Sequence, residues 1–465
     1  MDNEFNLQDE IQKVTRPEIC NRGALNALYC DIWSRSNPRS PNLCMAAALQ
    51  SMAIMIGQHF NMMTGSHDTR ANLQTIAIAP TGSGKDMALK YPQKIARDIY
   101  DADFVFGKIN TPTTIEYQLN RYGYAFGFHD ECGDLLKATR AGAGSSKQLA
   151  EIGVMLKSLS TSAHSFYKGA DFSPAIDRDK PKLDLSSEQP FFTYMGVGTP
   201  RQCFDAFEGA DIEGGYLGRL AMFIDNESHD EIAPYEIETP VGDYSPEVVK
   251  IVGKFKDLIC ARRYQWQQRD KSEDAFKKWD RSRGKDKGDP PEVTTYDIEP
   301  EPTEIEVERA AMETIFMGKQ NLIAEATEAG DEILLDLAQR VGEMANRFAL
   351  IDAISDWSGG VTSAPKVTDE NALRALELAF KVTTSKRESY REHKEKSKVQ
   401  ILLETVANDL IGKKQIGYQR VATIAKGRRI KMGVPEALKA IHECGTFKLS
   451  DVDKPKLLKI ELAPR

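Results

Sequence analysis

The chain has 465 residues, enough for two or three domains, and its 41% hydrophobic and 28% charged residues are ordinary for a water-soluble globular protein. Seven scattered cysteines include no Cys-x-x-Cys pair, which argues against structural zinc and for a reducing compartment. The acidic start "MDNEFNLQDE" lacks the basic and then apolar order of a signal peptide, so we expect a cytoplasmic protein.

An uncharged segment from Ser40 to His67 is the first strong feature along the chain. Polar residues such as Asn42, Gln50 and Asn61 interrupt it, and Ala and Met outnumber Leu and Ile. A buried helix explains this pattern better than a membrane span, and we expect no membrane partner. Residues 1–70 are predicted to form a helical N-terminal region.

The segment "QTIAIAPTGSGKDMALK" resembles a phosphate-binding P-loop between a strand and a helix. A P-loop reads Gly, four residues, Gly, Lys and then Ser or Thr, whose hydroxyl binds Mg²⁺. Here Ala79 replaces the first glycine and Asp86 replaces the hydroxyl residue. A bland glycine turn is the alternative. The residues expected to bind the phosphates of ATP are Pro80, Thr81, Gly82, Ser83, Gly84, Lys85 and Asp86.

Five short apolar runs alternate with helical patterns between residues 71 and 240. They are "TIAIA", "ADFVFGKIN", "YAFGF", "FFTYMGVGT" and "RLAMFID". This alternation predicts an α/β core with a mainly parallel sheet, and the glycine-rich turn assigns it to the P-loop NTPases. We therefore predict a P-loop core over residues 71–240.

Two acids, Asp130 and Glu131, follow the third apolar run. In a P-loop ATPase one such acid holds Mg²⁺ and the next polarises the attacking water, which predicts Asp130 as a metal ligand and Glu131 as catalytic. A strand that merely ends in solvated acids is the alternative. Oxygen ligands suit Mg²⁺, so Asp86 is predicted as a second metal ligand.

Three further side chains have two interpretations each. Thr199 follows the fourth apolar run, where it could position water as a catalytic residue or cap the next helix. Arg219 is a candidate arginine finger for its own or an adjacent subunit, with a structural ion pair as the alternative. Arg347 has the same two interpretations, and the ion pair is favoured for it.

The remainder of the chain is predicted from its composition and periodicity. Residues 241–304 are a helix followed by a charged linker, and 305–392 are a helical bundle that completes the ATPase region, with helices resuming near Ile305. Residues 398–465 supply three helical segments and a hairpin, the parts of a winged helix-turn-helix.

Charge is distributed unevenly along the chain. From Lys381 to Arg465 there are twenty Lys or Arg and ten Asp or Glu, so this end carries +10 and the rest −18 of the total −8. The basic end is predicted to bind DNA phosphates, although a winged helix is also a common protein-binding module. The predicted DNA contacts are Lys426, Arg428, Arg429 and Lys431.

The order of these motifs resembles a family of phage and prophage P-loop proteins that are replicative helicase-like. The resemblance covers roughly residues 40–390 and rests on "APTGSGKD", "TPTTIEYQLN", "GFHDECGDLL", "VGTPRQCFDAF", "GGYLGRLAMFI" and "RVGEMANRFAL". It implies a RecA-like or AAA+ core, as in primase-helicases, assembled as a ring with ATP between subunits. It also implies host cytoplasm as the location if the chain is phage-encoded.

The leading hypothesis is an ATP-dependent and Mg²⁺-dependent DNA helicase or translocase of phage-type replication. Its expected partners are single-stranded or forked DNA, other copies of the chain in a ring, expected to be a hexamer, and other replication proteins. Two alternatives remain open. One is an ATP-dependent helicase loader or remodelling factor, and the other is a nucleotide-switch regulator or defence ATPase.

Overall fold

The fold was determined as a computed structural model, in which the chain forms two compact units, residues 1–387 and 388–465. The structure describes residues 18–65, 67–100, 105–106, 112–138, 151–152, 155–156, 159, 171–172, 183–184, 190–207, 216–225, 243–259, 302–411, 416–426, 432–444, 447–450 and 459–462.

Helices make up most of the described residues. In chain order they are α1 Gly23–Arg35, α2 Pro41–Ile56, α3 Lys85–Ile99, α4 Pro112–Tyr122, α5 Gly133–Ala138, α6 Pro200–Phe204, α7 Tyr216–Arg219, α8 at 246–259, α9 Arg309–Glu328, α10 Glu332–Ala338, α11 Val341–Ser358, α12 Asp369–Ile411, α13 Tyr418–Ala425 and α14 Val434–Glu443.

The described strands are short, and several are buried along their whole length. They are β1 Phe60–Thr64, β2 His67–Thr69, β3 Gln74–Ile78, β4 Val105–Phe106, β5 Tyr124–His129, β6 Asp171–Phe172, β7 Leu183–Asp184, β8 Phe191–Gly198, β9 Ala221–Ile224, β10 Thr303–Val307, β11 Lys366–Val367, β12 Ile416–Gly417, β13 Phe447–Ser450 and β14 Lys459–Leu462.

The central sheet of the first unit contains five described strands, all parallel, in the order β4-β5-β8-β3-β9. These strands coincide with the five apolar runs, so the predicted α/β architecture with a parallel sheet is confirmed. β3, β8 and β9 are buried throughout, as expected when parallel strands are covered on both faces. Among the strands of this sheet, β8 is the next in the chain after the acid-bearing β5, and it lies between β5 and β3.

A second sheet corrects two sequence predictions. Its described strands run in the order β11-β10-β1-β2, and Phe60 of β1 pairs with Thr303 of β10 in parallel. Residues 60–64 and 67–69 are therefore strands, although the N-terminal region was predicted to be helical. Ile305 likewise lies in β10, and the helix begins only at Arg309. The alternating "TEIEV" places Ile305 in the core between exposed neighbours, which is the pattern of a half-buried strand.

Helix α2 is the centre of the hydrophobic core. Ser40 caps it by accepting the N–H of Leu43 (3.2 Å), and Pro41 occupies its first turn. Every residue from Leu43 to Ile56 is buried, so the helix is apolar on all its faces. The predicted buried helix is confirmed, and within the described ranges no helix is both long and apolar enough to cross a membrane.

One polar side chain of α2 joins it to two central strands. Gln50 is fully buried, and its Nε2 donates to Thr193 Oγ1 of β8 (2.8 Å). Its Oε1 accepts from Thr75 Oγ1 of β3 (2.7 Å), and Thr193 Oγ1 donates in turn to Leu73 O (2.6 Å). These hydrogen bonds satisfy the polar atoms in the core and fix the position of α2 along the strands.

The second unit is built from the end of α12, from α13 and α14, and from a sheet in the order β12-β14-β13 whose described pairs are antiparallel. Its core includes Leu402, Val406, Val421 and Ile441. The hairpin of the last two strands agrees with the predicted one. The first predicted helix is not separate, however, because α12 runs unbroken for 43 residues through the boundary at residue 388.

Replacement of Gln50 by Ala should destabilise the first unit by about 2–4 kcal/mol, because the Thr75 hydroxyl loses its acceptor, the Thr193 hydroxyl loses a donor and a cavity forms. The measurement is urea unfolding followed by tryptophan fluorescence, since all four tryptophans lie in this unit. Gln320→Ala, on the exposed face of α9, is the matched control and should change stability by less than about 0.5 kcal/mol. Equal effects of the two changes would contradict the role of Gln50.

Candidate functional site

The carboxyl ends of the five parallel strands lie at one edge of the central sheet. β3 ends at Ile78 and leads into the glycine-rich loop, β5 leads into Asp130, and β8 leads into Thr199. Ligands of open α/β sheets bind outside this edge. Because neighbouring strands are about 4.8 Å apart, the strand bearing the acids lies about 10 Å from the loop strand, with β8 between them.

The loop from residue 79 to residue 85 closes on itself. Lys85 Nζ donates to Ala79 O (2.9 Å), and Ser83 Oγ donates to Pro80 O (2.9 Å). Gly82 and Gly84 have φ angles of 84° and 79°, a conformation that glycine adopts without strain. Thr81 and Gly82 are exposed at the tip. The loop thus presents backbone groups and an ammonium group at the start of α3, where the helix dipole favours anions.

Helix α3 is anchored through two tyrosines. Tyr91 Oη donates to the buried Asp31 of α1 (2.6 Å), and Tyr244 Oη donates to Asp98 near the end of α3 (2.7 Å). Burial first, and then the negative charge of Asp31, raise the pKa of Tyr91, so this hydroxyl stays protonated as the donor. These two hydrogen bonds fix both halves of α3, the helix that follows the loop.

Asp86 does not face the loop in this structure. Its side chain is 80% exposed, and its carboxylate pairs with Lys90 Nζ one helical turn away (2.9 Å). A metal-binding role for Asp86 requires that this pair separate. Exposed ion pairs of this kind are weak, so rotation of the side chain towards a cation at the loop is energetically accessible.

The acid pair after β5 has an unusual backbone. Glu131 has a φ of 53°, the one positive φ of a non-glycine residue in the described part of the chain. Its N–H donates to Asp130 Oδ1 (3.0 Å), and the next N–H, that of Cys132, donates to Val197 O of β8 (2.9 Å). Both carboxylates are exposed. The turn therefore directs two negative groups outward at the edge that carries the loop.

Thr199 lies at the same edge and caps α6. Its hydroxyl accepts the N–H of Gln202 (3.4 Å) and donates to Gln202 Oε1 (3.0 Å), while Gln202 Oε1 also accepts the Thr199 N–H (3.2 Å). This reciprocal pattern is a capping box. The structure therefore agrees with the interpretation of Thr199 as a helix cap, because its hydroxyl both donates to and accepts from Gln202.

Arg219 is not brought to the loop of its own chain. It ends α7, two residues before Ala221, which pairs with Thr75 at the start of β3. Ile224, at the other end of β9, pairs with Ile78 beside the loop. Arg219 is therefore roughly 15 Å from the loop, at the opposite edge of the sheet.

Arg347 forms an ion pair. Its side chain is 3% exposed, and its Nη2 contacts Glu343 Oε1 one turn earlier in α11 (2.7 Å). Glu343 also faces Arg340 (3.7 Å) and acts electrostatically on Arg219. Burial lowers the pKa of Arg219, and Arg340 and Arg347 lower it further against the opposing effect of Glu343. The structure therefore agrees with the ion-pair interpretation of Arg347. The carboxylate of Glu343 also acts electrostatically on Arg219.

The predicted DNA contacts are only partly described. Lys426 directly follows α13 as its C-cap and is exposed, whereas Arg428, Arg429 and Lys431 lie outside the described residues. Within the described ranges, no cluster of three or more His, Cys, Asp or Glu side chains could hold a metal ion. The predicted Mg²⁺ site needs fewer protein ligands, since Mg²⁺ in nucleotide sites is bound through one or two carboxylates, phosphates and waters.

Sequence reasoning missed neighbours of the loop. Asp225, which ends the fifth apolar run, donates its N–H to Ile78 O (2.8 Å) and is buried beside the loop strand. Asn42 Nδ2 of α2 donates to Ile224 O (2.7 Å), so the start of α2 lies at the same edge. The position of Asp225 directly after the apolar run "RLAMFI" is a signal in the sequence, because Asp130 and Glu131 are identified by the same pattern of an acid after an apolar run.

A crevice of about 30 Å³ adjoins the end of β9. Apolar side chains of α2, β9 and α12 line it together with Asn42, Lys381 and Ser385. This volume is about that of one water molecule, so a nucleoside would enter only if the crevice widened.

The sequence matches no protein-family model and no curated protein sequence. The arrangement of groups at the sheet edge, together with the order of the motifs, is therefore the basis for assigning a function.

Replacement of Gly84 and Gly82 by Ala should have different costs. A Cβ at Gly84 would lie 2.6 Å from Pro38 O, whereas nothing lies within 4 Å of a Cβ at Gly82. Both substitutions strain a left-handed backbone, so we expect about 1 kcal/mol for Gly82→Ala and about 2–4 kcal/mol for Gly84→Ala. Thermal unfolding measures the difference, and equal costs would show that Pro38 moves freely.

Proposed function

We propose that the protein is a P-loop ATPase that uses ATP and Mg²⁺. The observation that carries this proposal is the common edge of the sheet, where the loop ends one strand, the Asp130–Glu131 pair ends another, and a strand ending in Thr199 lies between them. This order supports a RecA-like or AAA+ core. Phosphoryl transfer requires positioning and charge stabilisation more than covalent chemistry, and these groups supply both.

Each group has a distinct proposed role. The backbone of the loop binds phosphate oxygens, and Lys85 exchanges its bond to Ala79 O for the β and γ phosphates. Asp130 is the carboxylate that would hold Mg²⁺, which neutralises developing charge on the phosphates when bound. Glu131 accepts a proton from the attacking water and orients it. The exposed carboxylates are the oxygen ligands that a hard cation prefers.

The second unit supports a role on DNA. Its helices and strands follow the order of a winged helix-turn-helix: a helix, the short strand β12, helices α13 and α14, and the hairpin β13–β14. In such domains the last helix enters the major groove and basic loops contact phosphates. We propose that α14 and Lys426, with Arg428, Arg429 and Lys431, bind DNA, and that the protein is a helicase or translocase of phage-type replication.

Ring assembly is part of the same proposal. Arg219 lies at the edge of the sheet opposite its own loop, which argues against a role on its own nucleotide. A head-to-tail contact between copies joins two different surfaces and forms a ring when the rotation between copies closes. We propose that Arg219 completes the site of an adjacent copy and stabilises negative charge on the transferred phosphoryl group, in a ring expected to be a hexamer.

Hydrolysis of ATP tests the site directly. Lys85→Ala should abolish nucleotide binding, whereas Glu131→Gln should retain binding and lower the rate by about a hundredfold or more, because only proton transfer is removed. Isothermal titration and phosphate release measure the two steps. Lys256→Ala, an exposed lysine of α8, is the control and should behave as the wild type.

Single-stranded DNA provides the second half of that test. The helicase proposal expects DNA to stimulate hydrolysis, with an effect that weakens as salt is raised because phosphate contacts release counterions. A rate that is insensitive to DNA but rises with a protein partner would favour the loader or remodelling factor. Unchanged hydrolysis in Lys85→Ala would rule out the P-loop assignment.

A slow nucleotide switch is a second candidate, supported by the position of Asp86. The carboxylate pairs with Lys90 and stands where other P-loops have a hydroxyl that binds Mg²⁺. Such a site could bind nucleotide tightly and hydrolyse it slowly, as a regulator or defence protein would.

Asp86→Thr distinguishes the two candidates. If Asp86 binds Mg²⁺, the variant should lose about tenfold or more in hydrolysis at low Mg²⁺, because a charged ligand has been removed. Hydrolysis should then recover in part as Mg²⁺ is raised. A variant that is faster than the wild type at every Mg²⁺ concentration would support the slow switch and show that the carboxylate opposes the metal.

A further inference from the structure

Lys386 is a fully buried lysine of α12. Its Nζ donates to Leu217 O (2.9 Å) and to Leu220 O (2.7 Å). Lysine is rarely buried without a carboxylate partner, and here burial is the sole cause of the shift that lowers its pKa to about 7. Burial of this ammonium costs free energy, so we expect Lys386 to have a structural or functional role.

The two carbonyl groups flank Arg219 in sequence. One belongs to the residue two before Arg219 and the other to the residue directly after it. They lie where α7 ends and the edge strand β9 begins, so no neighbouring strand fixes this backbone from outside in the described sheet. The ammonium of Lys386 connects both carbonyls to α12 and thereby fixes the backbone on both sides of Arg219, at the peptide units 217–218 and 220–221.

Other elements surround the Arg219 side chain. A Cβ at Gly218 would lie 2.9 Å from Arg340 Cγ, so α7 packs closely against the residue that precedes α11. Glu343 attracts Arg219 electrostatically, and Arg340 and Arg347 repel it. The guanidinium is therefore surrounded by charges of both signs, and its backbone is anchored by the bonds of Lys386.

We propose that Lys386 is a positioning residue for Arg219, holding it in the orientation that contacts the phosphates of a nucleotide bound by a second copy of this chain. The inference depends on the proposed ATPase function. Lys386 itself touches no phosphate. A displacement of about 1 Å in a catalytic group costs about a hundredfold in rate, so loss of two anchoring hydrogen bonds should be visible in hydrolysis.

Lys386→Met is the test variant, and Lys256→Met, on the exposed surface of α8, is its matched control. In the full-length assembled protein, Lys386→Met should lower the maximal rate of ATP hydrolysis by about a hundredfold. The dissociation constant for nucleotide should stay within about twofold, because the loop lies at the other edge of the sheet. Lys256→Met should change neither quantity.

Mixing experiments separate positioning from a general folding role. Lys386→Met subunits keep an intact loop and Glu131, and Glu131→Gln subunits keep an intact Arg219 and Lys386. A random one-to-one ring contains fully competent contacts at about a quarter of its interfaces, so activity should return on mixing two nearly inactive proteins. No recovery would overturn the proposal, because it would mean that Lys386 acts within its own subunit.

A pH profile gives a readout that a structural role would not produce. The ammonium form makes the stronger bonds to carbonyl groups, so hydrolysis should fall as pH rises through about 7. In the described part of the chain, the charged groups around this segment include Arg219, Arg340, Glu343, Arg347 and the Arg387–Asp331 pair.

Lys386→Gln should retain part of the activity, because its amide still donates hydrogen bonds, and should lack the step near pH 7. A step that persists in this variant would overturn the proposal, as would an active wild type whose rate is unchanged by Lys386→Met. Absence of hydrolysis in the wild type itself would instead reject the ATPase function, and the inference with it.

Discussion

The parallel direction of five strands is the constraint on which the candidate site depends. A parallel sheet places all its carboxyl ends at one edge, so the loop, the acid pair, Thr199 and Asp225 share a surface although they are separated by up to 146 residues in the chain. The same constraint separates Arg219 from them, because it precedes its strand. Direction alone thus divides the candidate residues into a group at the carboxyl edge of the sheet and one residue, Arg219, at the opposite edge.

Helix α2 is buried against the central sheet. A helix that is apolar on all its faces must be enclosed, and the strands and helices around it provide the enclosure. Gln50 fixes the position of α2 along the strands. Purely apolar contacts would let the helix shift, whereas the hydrogen bonds of Gln50 to threonines on two different strands hold it in one position.

Local signals in the sequence were sufficient for the central sheet and the loop. The five strands are short apolar runs with helical patterns between them, and "PTGSGK" needs a left-handed turn at its glycines. Pairing between distant segments was not predictable in the same way. β1 pairs with β10 across more than two hundred residues, each strand has only five residues, and β1 is buried at three consecutive positions instead of alternating. Lys386 was missed because a lysine within a charged helix gives no sign of the carbonyl groups it will meet.

The backbone of Glu131 has a thermodynamic implication for the whole chain. A left-handed φ at a residue with a Cβ costs about 1 kcal/mol or more relative to glycine, and no glycine stands there. The folded state therefore gives up conformational free energy to keep a carboxylate at this position. In a protein with a net stability of only about 5–15 kcal/mol, this cost at a single residue is a measurable fraction of the total.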